Sequence, residues 1–187
     1  MSVLLIGDTH GDEPAWRRAL ELAGPGLQLI LHTGDVLYHG PRNPIVPGYA
    51  PLQLAEAVKA CRVPLVIAKG NCDAPIDEQV LEKPLLEPFA LACAAGHTVL
   101  VTHGDRFASD ELAEVAKRHG AEIAVFGHIH LPVLERVAGV WLVNPGSPSL
   151  SKHEEAGERV NTVGLLDERG IRLLRLADGG VLAEAAL

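Results

Sequence analysis

Cysteine is scarce in this chain. Cys61, Cys72 and Cys93 are the only ones among 187 residues, an odd number with no C-x-x-C spacing. That argues against a disulfide framework and for a reducing compartment. Basic residues are also few: 16 Lys and Arg against 24 Asp and Glu, a net charge of −8 with His neutral. Non-specific nucleic-acid binders show a basic surface, so nucleic acid is not indicated as a partner. A phosphate-bearing substrate stays open, because bound divalent cations can reverse the field inside a local site. No apolar run reaches the roughly 18 residues of a membrane span. The opening segment, Met1 to Gly7, lacks the basic region, long apolar stretch and A-x-A cleavage site of a secretory signal. The expected location is the cytoplasm, with no membrane partner.

What is present is enough apolar surface for a core. Apolar residues make up 48% of the chain, and the length suits one domain, residues 1–187. Short apolar runs at Ser2–Ile6, Leu27–Leu31, Pro64–Ala68, Thr98–Thr102 and Ile123–Phe126 read as buried strands. Between them, Glu13–Ala23 and Leu52–Cys61 read as helices. Trp16, Leu20 and Ala23 share one face of the first, and Gly24-Pro25 ends it. A third helix follows Ser109 as its expected cap and stops at Gly120. The Pro- and Gly-rich stretch Pro41–Pro51 reads as a loop. This alternation predicts an α/β fold with a largely parallel sheet. After Pro132 the pattern becomes short strands joined by turns, at Val133–Val137, Val140–Val143, Val160–Leu166, Ile171–Leu176 and Val181–Ala183. An antiparallel tail of this kind could pair with a second copy of the chain. The Glu154-Glu155 to Glu158 run reads as a solvated face.

Five polar motifs end predicted strands: Asp8-Thr9-His10, Gly34-Asp35, Gly70-Asn71-Cys72-Asp73, His103-Gly104, and Gly127-His128 with His130. Ligands of α/β sheets bind beyond the carboxyl ends of the strands, so these motifs are expected to converge. Asp8 and Asp35 offer hard oxygen donors, and Asn71 a neutral amide oxygen. His10, His103, His128 and His130 offer imidazole nitrogen. A mixed set suits Mn²⁺, Fe, Zn²⁺, Ni²⁺ or Co rather than Mg²⁺ or Ca²⁺. Seven donors are too many for one ion and right for two, with a carboxylate such as Asp35 able to bridge a pair about 3.5–4 Å apart.

The order D-x-H, G-D, G-N-x-D, H-G, G-H-x-H resembles the calcineurin-like metallophosphoesterase superfamily. Gly70-Asn71-Cys72-Asp73, the loop from His39 to Pro51, and Asn144-Pro145-Gly146-Ser147 resemble the small bacterial phosphodiesterases of the YfcE type within it. The resemblance runs from about Val3 to beyond Ser149. It implies a four-layer α/β/β/α sandwich of two mixed sheets. It implies two divalent ions, Mn²⁺ by preference, one held by Asp8, His10 and His130, the other by Asn71, His103 and His128, with Asp35 between them. It further implies that a water or hydroxide between the ions attacks a small phosphate ester in line, giving Asp35, Asn71 and His103 catalytic roles.

One position departs from the wider superfamily. Many members have His after the Asn, thought to protonate the leaving group; here Cys72 stands there, a weak donor with an ordinary pKa near 8.5. This predicts a bias towards esters with good leaving groups. Cys72 otherwise reads as a small buried apolar residue. Asp73 could orient a neighbour, and His39 and Arg42 lie on a loop that could reach the substrate, Arg being suited to gripping phosphate. These four are the candidate substrate contacts. His32 is expected to pack behind the site, while His97, His119 and His153 read as surface or structural. Two rival readings remain: a non-catalytic scaffold like the retromer subunit of this fold, expected to have lost ligands that are all present here, and a phosphomonoesterase or nucleotide phosphatase on the same site.

Overall fold

The structure is a computed structural model and describes residues 2–187. Strand β1 (Ser2–Ile6) shows how the layers arise. Its side chains alternate, so Leu4 and Ile6 enter one apolar cluster and Val3 and Leu5 another. Both faces are buried, which is why the run reads as continuously apolar. β1 lies inside a seven-stranded sheet with β2 (Leu27–His32), β3 (Leu65–Ala68) and β4 (Leu85–Leu86) parallel to it on one side. On its other side, β12 (Thr162–Asp167), β13 (Gly170–Arg175) and β14 (Val181–Ala185) run antiparallel to their neighbours.

Helices α1 (Glu13–Ala23), α2 (Pro51–Ala60) and α3 (Asp77–Leu81) cover the outer face of this sheet. Trp16, Leu54, Val58 and Leu81 pack there against Leu4, Ile6, Ile30 and Ile67. The Asp12 carboxylate caps α1 by accepting the Ala15 amide at 3.1 Å.

A second sheet has five strands in the order β5 (Ala90–Ala94), β6 (His97–Val101), β7 (Ile123–Val125), β9 (Val140–Pro145), β8 (Pro132–Val137). Val99, Val101, Ile123, Val125 and Val143 meet Val3, Leu5, Leu31 and Leu173 between the sheets. The intervening residues Leu100, Ala124 and Leu142 face outward under α4 (Ser109–Arg118), against Leu112, Ala113 and Ala116. The layers are therefore α/β/β/α, two mixed sheets between helices.

The sequence expectations differ from this structure in two ways. The apolar strands do not share one parallel sheet: β6 and β7 belong to the second. Ser109 is the first helical residue of α4, with Ala108 at the cap position and no side-chain cap bond. The tail pairs mostly antiparallel, as read, and divides between the sheets: β8 and β9 extend the second while β12 to β14 complete the first. The Glu154–Glu158 run, read as a solvated face, is largely exposed and forms a hairpin, β10 (Glu154–Glu155) with β11 (Glu158–Arg159), turning through Ala156 and Gly157, both at positive φ. Among the described residues, no helix is long and apolar enough to cross a membrane.

Candidate metal centre

The loops after β1, β2, β3, β6 and β7 meet at one edge of the two sheets. The loop after β1 is fastened to the loop after β2 by main-chain bonds: the Asp8, His10 and Gly11 amides donate to Gly34, Asp35 and Val36 carbonyls at 2.9, 3.0 and 2.8 Å. Gly70 lets the loop after β3 press against this pair, since a Cβ there would fall 2.1 Å from Asp35 Oδ1.

Asp73 locks that contact. Its Oδ2 accepts the Asp35 and Gly70 amides at 2.8 and 2.7 Å, and its Oδ1 accepts the Val36 amide at 2.8 Å. Burial pushes the Asp73 carboxyl up to about 6 despite these bonds. Asp73 thus lies under the loops with both oxygens engaged, where it orients Asp35.

The seven predicted donors form a continuous chain of contacts. His130 Nε2 lies 3.3 Å from Asp8 Oδ1 and 3.1 Å from His10 Nε2. His10 Nε2 is 3.8 Å from Asp35 Oδ2, and that oxygen is 3.5 Å from His103 Nε2. His103 Nε2 and His128 Nδ1 stand 2.9 and 2.8 Å from Asn71 Oδ1. Asp35 Oδ1 is occupied by the Cys72 amide at 2.7 Å, which leaves Oδ2 facing both halves of the chain.

Hydrogen bonding behind the site sets which histidine nitrogens face it. Nδ1–H of His10, His103 and His130 donates to the carbonyls of Tyr38, Thr33 and Leu150 at 2.7, 2.9 and 2.9 Å. A carbonyl can only accept, so in the neutral rings each Nε2 carries its lone pair inward. The centre therefore gathers acceptors without protons between them, at distances where lone pairs repel. Divalent cations resolve that repulsion, and the N/O donor set suits them. Asp8, His10 and His130 offer atoms mutually within 4.8 Å, as do Asp8, Asp35 and His103.

The electrostatics agree. Burial opposes the charge on Asp8, but the His130 hydrogen bond and the nearby histidines outweigh it and hold its carboxyl below the ordinary range. Burial lowers His10 against the pull of the Tyr38 carbonyl, Asp8 and Asp35. For His130, burial is outweighed by the bond to Asp8 and its charge, and the ring is raised. Burial and then the neighbouring His103 lower His128.

The backbone is strained at the same residues. Asp8, His10, Asp35, His128 and His130 all adopt positive φ, between 45° and 70°. For an L residue each such conformation costs about 1 kcal/mol or more. Asn144 and Ser147 hold the strained turns from behind. Asn144 Nδ2 donates to the Gly127 carbonyl at 2.8 Å, and Ser147 Oγ to the Asp8 carbonyl at 2.8 Å.

A cavity of about 860 Å³ opens over the centre, with Asp35, Asn71, Cys72, His128 and His130 in its floor and Arg42 in its wall. The half of the centre with His10 and His130 is buried, whereas Asn71 and His128 are exposed to the cavity. Cys72 lines the floor; burial and then the Asp35 charge push its thiol up to about 12, which keeps it protonated and a weak ligand. His39 does not line the cavity. It sits edge-on between Tyr38 and Tyr49, with ring centroids at 4.7 and 5.1 Å. The sequence reading missed Lys152, Tyr38, Ile129 and Leu131 in the cavity lining.

Comparison with known proteins agrees with this geometry. Residues 1–169 match the family described as the calcineurin-like phosphoesterase superfamily domain. The chain is 34% identical over 188 residues to phosphodiesterase YfcE of Escherichia coli K12, covering 100% of this chain and 98% of that protein. A solved structure of YfcE, described as a phosphoesterase from E. coli, superposes with a TM-score of 0.87 at 33% identity, covering 100% of this chain and 99% of the other. Vacuolar protein sorting-associated protein 29 of Schizosaccharomyces pombe is 26% identical over 194 residues, covering 98% of this chain and 96% of that protein. With the family match spanning most of its length, the chain belongs to the calcineurin-like phosphoesterase superfamily.

Proposed function

We propose that this chain, acting as one domain over residues 1–187, hydrolyses small phosphodiesters at a two-metal centre. Family membership makes it a metal-dependent phosphoester hydrolase. The observation that carries the finer reading is the convergence of seven donor side chains, three of whose imidazoles turn their Nδ1–H to carbonyls behind the site. Asp8, His10 and His130 would hold one ion, and Asn71, His103 and His128 the other. Asp35, whose Oδ2 is not taken by the Cys72 amide, would serve both. The preference for diesters follows the name of the E. coli relative. Mn²⁺ as the working metal follows from the mixed donor set and the family resemblance, and a cytoplasmic location from the unpaired cysteines.

Bound there, divalent ions supply Lewis acidity and an activated water at neutral pH. The chain's own residues do the positioning. The carbonyls behind His10, His103 and His130 keep the donor nitrogens aimed, and Asp73 keeps Asp35 in place. Asn71 and His128, exposed to the cavity, mark the side from which substrate enters. Cys72 offers a poor proton to the departing group. A scaffold role explains neither the convergent lone pairs nor the strain at five ligand positions.

The test is turnover by metal-stripped protein with Mn²⁺ restored, on an aryl phosphodiester and the matching monoester. The expected result is metal-dependent cleavage favouring the diester, reduced about a hundredfold or more by Asp35→Asn. A preference for the monoester would move the reading to a phosphomonoesterase. Absence of turnover with any divalent ion would move it to a scaffold.

A further inference from the structure

Two cations line the cavity and come from separate parts of the chain. Arg42 lies on the loop after β2, and Lys152 follows β9. Neither has a carboxylate partner among the described residues. Several other basic side chains are engaged, among them Lys69 and Arg106 with Glu87, Lys59 with Glu56, and Arg175 with Glu155 and Asp178; what sets Arg42 and Lys152 apart from the remaining unpaired cations is their place in the cavity lining. In a chain of net charge −8, the cations at the cavity are thus unneutralised.

Lys152 is also held at a set height in that wall. Its amide donates to the His130 carbonyl at 2.9 Å, and His130 Nδ1 donates to the Leu150 carbonyl at 2.9 Å. This reciprocal pair ties the 150–152 segment to a residue of the metal centre.

A simple diester carries one negative charge, and the proposed ions already answer it. Further cations in the same wall are in excess of that need. We infer that Lys152 and Arg42 form a second anion subsite, so that the enzyme selects phosphate esters bearing another anionic group, a phosphate or a carboxylate, away from the scissile phosphorus. The inference rests on the hydrolase reading for the position of the scissile group, and names the substrate class of that site. Arg recognises such a group through paired N–H donors, and Lys as a point charge.

The experiment uses matched probes that differ by one phosphate. Binding of thymidine 3′,5′-bisphosphate and thymidine 5′-monophosphate to Mn²⁺-loaded protein is measured by calorimetry, for the native chain, Lys152→Ala, Lys152→Arg and Arg42→Ala. Turnover is measured in parallel on the 5′-(4-nitrophenyl) esters of thymidine with and without the 3′-phosphate. The native protein is expected to favour the bisphosphate about tenfold or more in Kd. Lys152→Ala and Arg42→Ala should each remove most of that preference, and Lys152→Arg should retain it. Equal affinity of the native chain for both probes, or a preference unchanged in Lys152→Ala, overturns the subsite. A binding preference without any turnover upholds the subsite and overturns the hydrolase reading. Turnover without a preference does the reverse.

Discussion

The Nε2 atoms of His10 and His130 stand 3.1 Å apart, and each ring directs its Nδ1–H to a backbone carbonyl. Two bare lone pairs at that separation need a cation between or beside them. Metal binding should therefore act on stability as well as activity. At a metal concentration of 100 times Kd, the folded state gains about 2.7 kcal/mol. For a chain of this length that corresponds to a rise of about 5–10 °C in Tm. Thermal melting with Mn²⁺, and again after chelation, measures it; identical Tm values would contradict a resident metal.

The Asp73 side chain should matter to the centre without touching it. Asp73→Ala leaves the amides of Asp35, Val36 and Gly70 without their acceptor. The expected loss is about 2–4 kcal/mol of stability, with weaker metal binding. Asp73→Asn keeps the shape and one acceptor oxygen, so it should lose less of both. Urea midpoints and metal titrations of the two variants check the order.

His32 sets a pH dependence of stability. It is wholly buried, its Nδ1 accepts the Gly34 amide at 3.0 Å, and its Nε2–H faces Thr9 Oγ1 at 3.2 Å, whose hydroxyl donates to Val36 O at 3.0 Å. Both nitrogens are satisfied only in the neutral ring, and burial pushes its pKa down to about 3. The unfolded chain binds this proton near 6.5 and the folded chain does not. Stability is therefore full above about 6.5 and falls as pH drops from there towards 3, by up to about 1.4 kcal/mol per unit. His32→Gln should flatten that slope between pH 6 and 4 in urea titrations. An unchanged slope would assign the acid loss to other groups.

The Cys72 position should govern the leaving group. A protonated thiol donates weakly, so the native enzyme should cleave aryl diesters far faster than alkyl diesters. Cys72→His restores a group able to protonate a departing alkoxide. The variant is expected to narrow the aryl-to-alkyl ratio of kcat/KM about tenfold or more, within the usual range for general acid catalysis. An unchanged ratio would remove leaving-group protonation from the account.

Much of the fold was legible because β1, β2, β6 and β7 are short apolar runs buried on both faces. Their partition between two sheets was not, because alternation says which residues are buried and not which neighbour buries them. β5 escaped notice since Ala90–Ala94 mixes small and half-exposed residues. The five-residue α3 and two-residue β4 are too short for any period to register. At the centre, the convergence of the five polar motifs was legible because each ends a strand. Lys152 was not, since one Lys in a polar stretch makes no pattern. His39 was expected at the substrate and stacks on tyrosines instead, a tertiary placement that loop composition does not encode.

The five left-handed residues at the centre also bear on how such a protein changes over generations. At Asp8, His10, Asp35, His128 and His130 the side chain proposed to hold metal occupies a backbone conformation that glycine would adopt with less cost. A lineage released from the need to hydrolyse anything would meet little resistance at these positions, since relieving each would leave the sandwich intact and more stable.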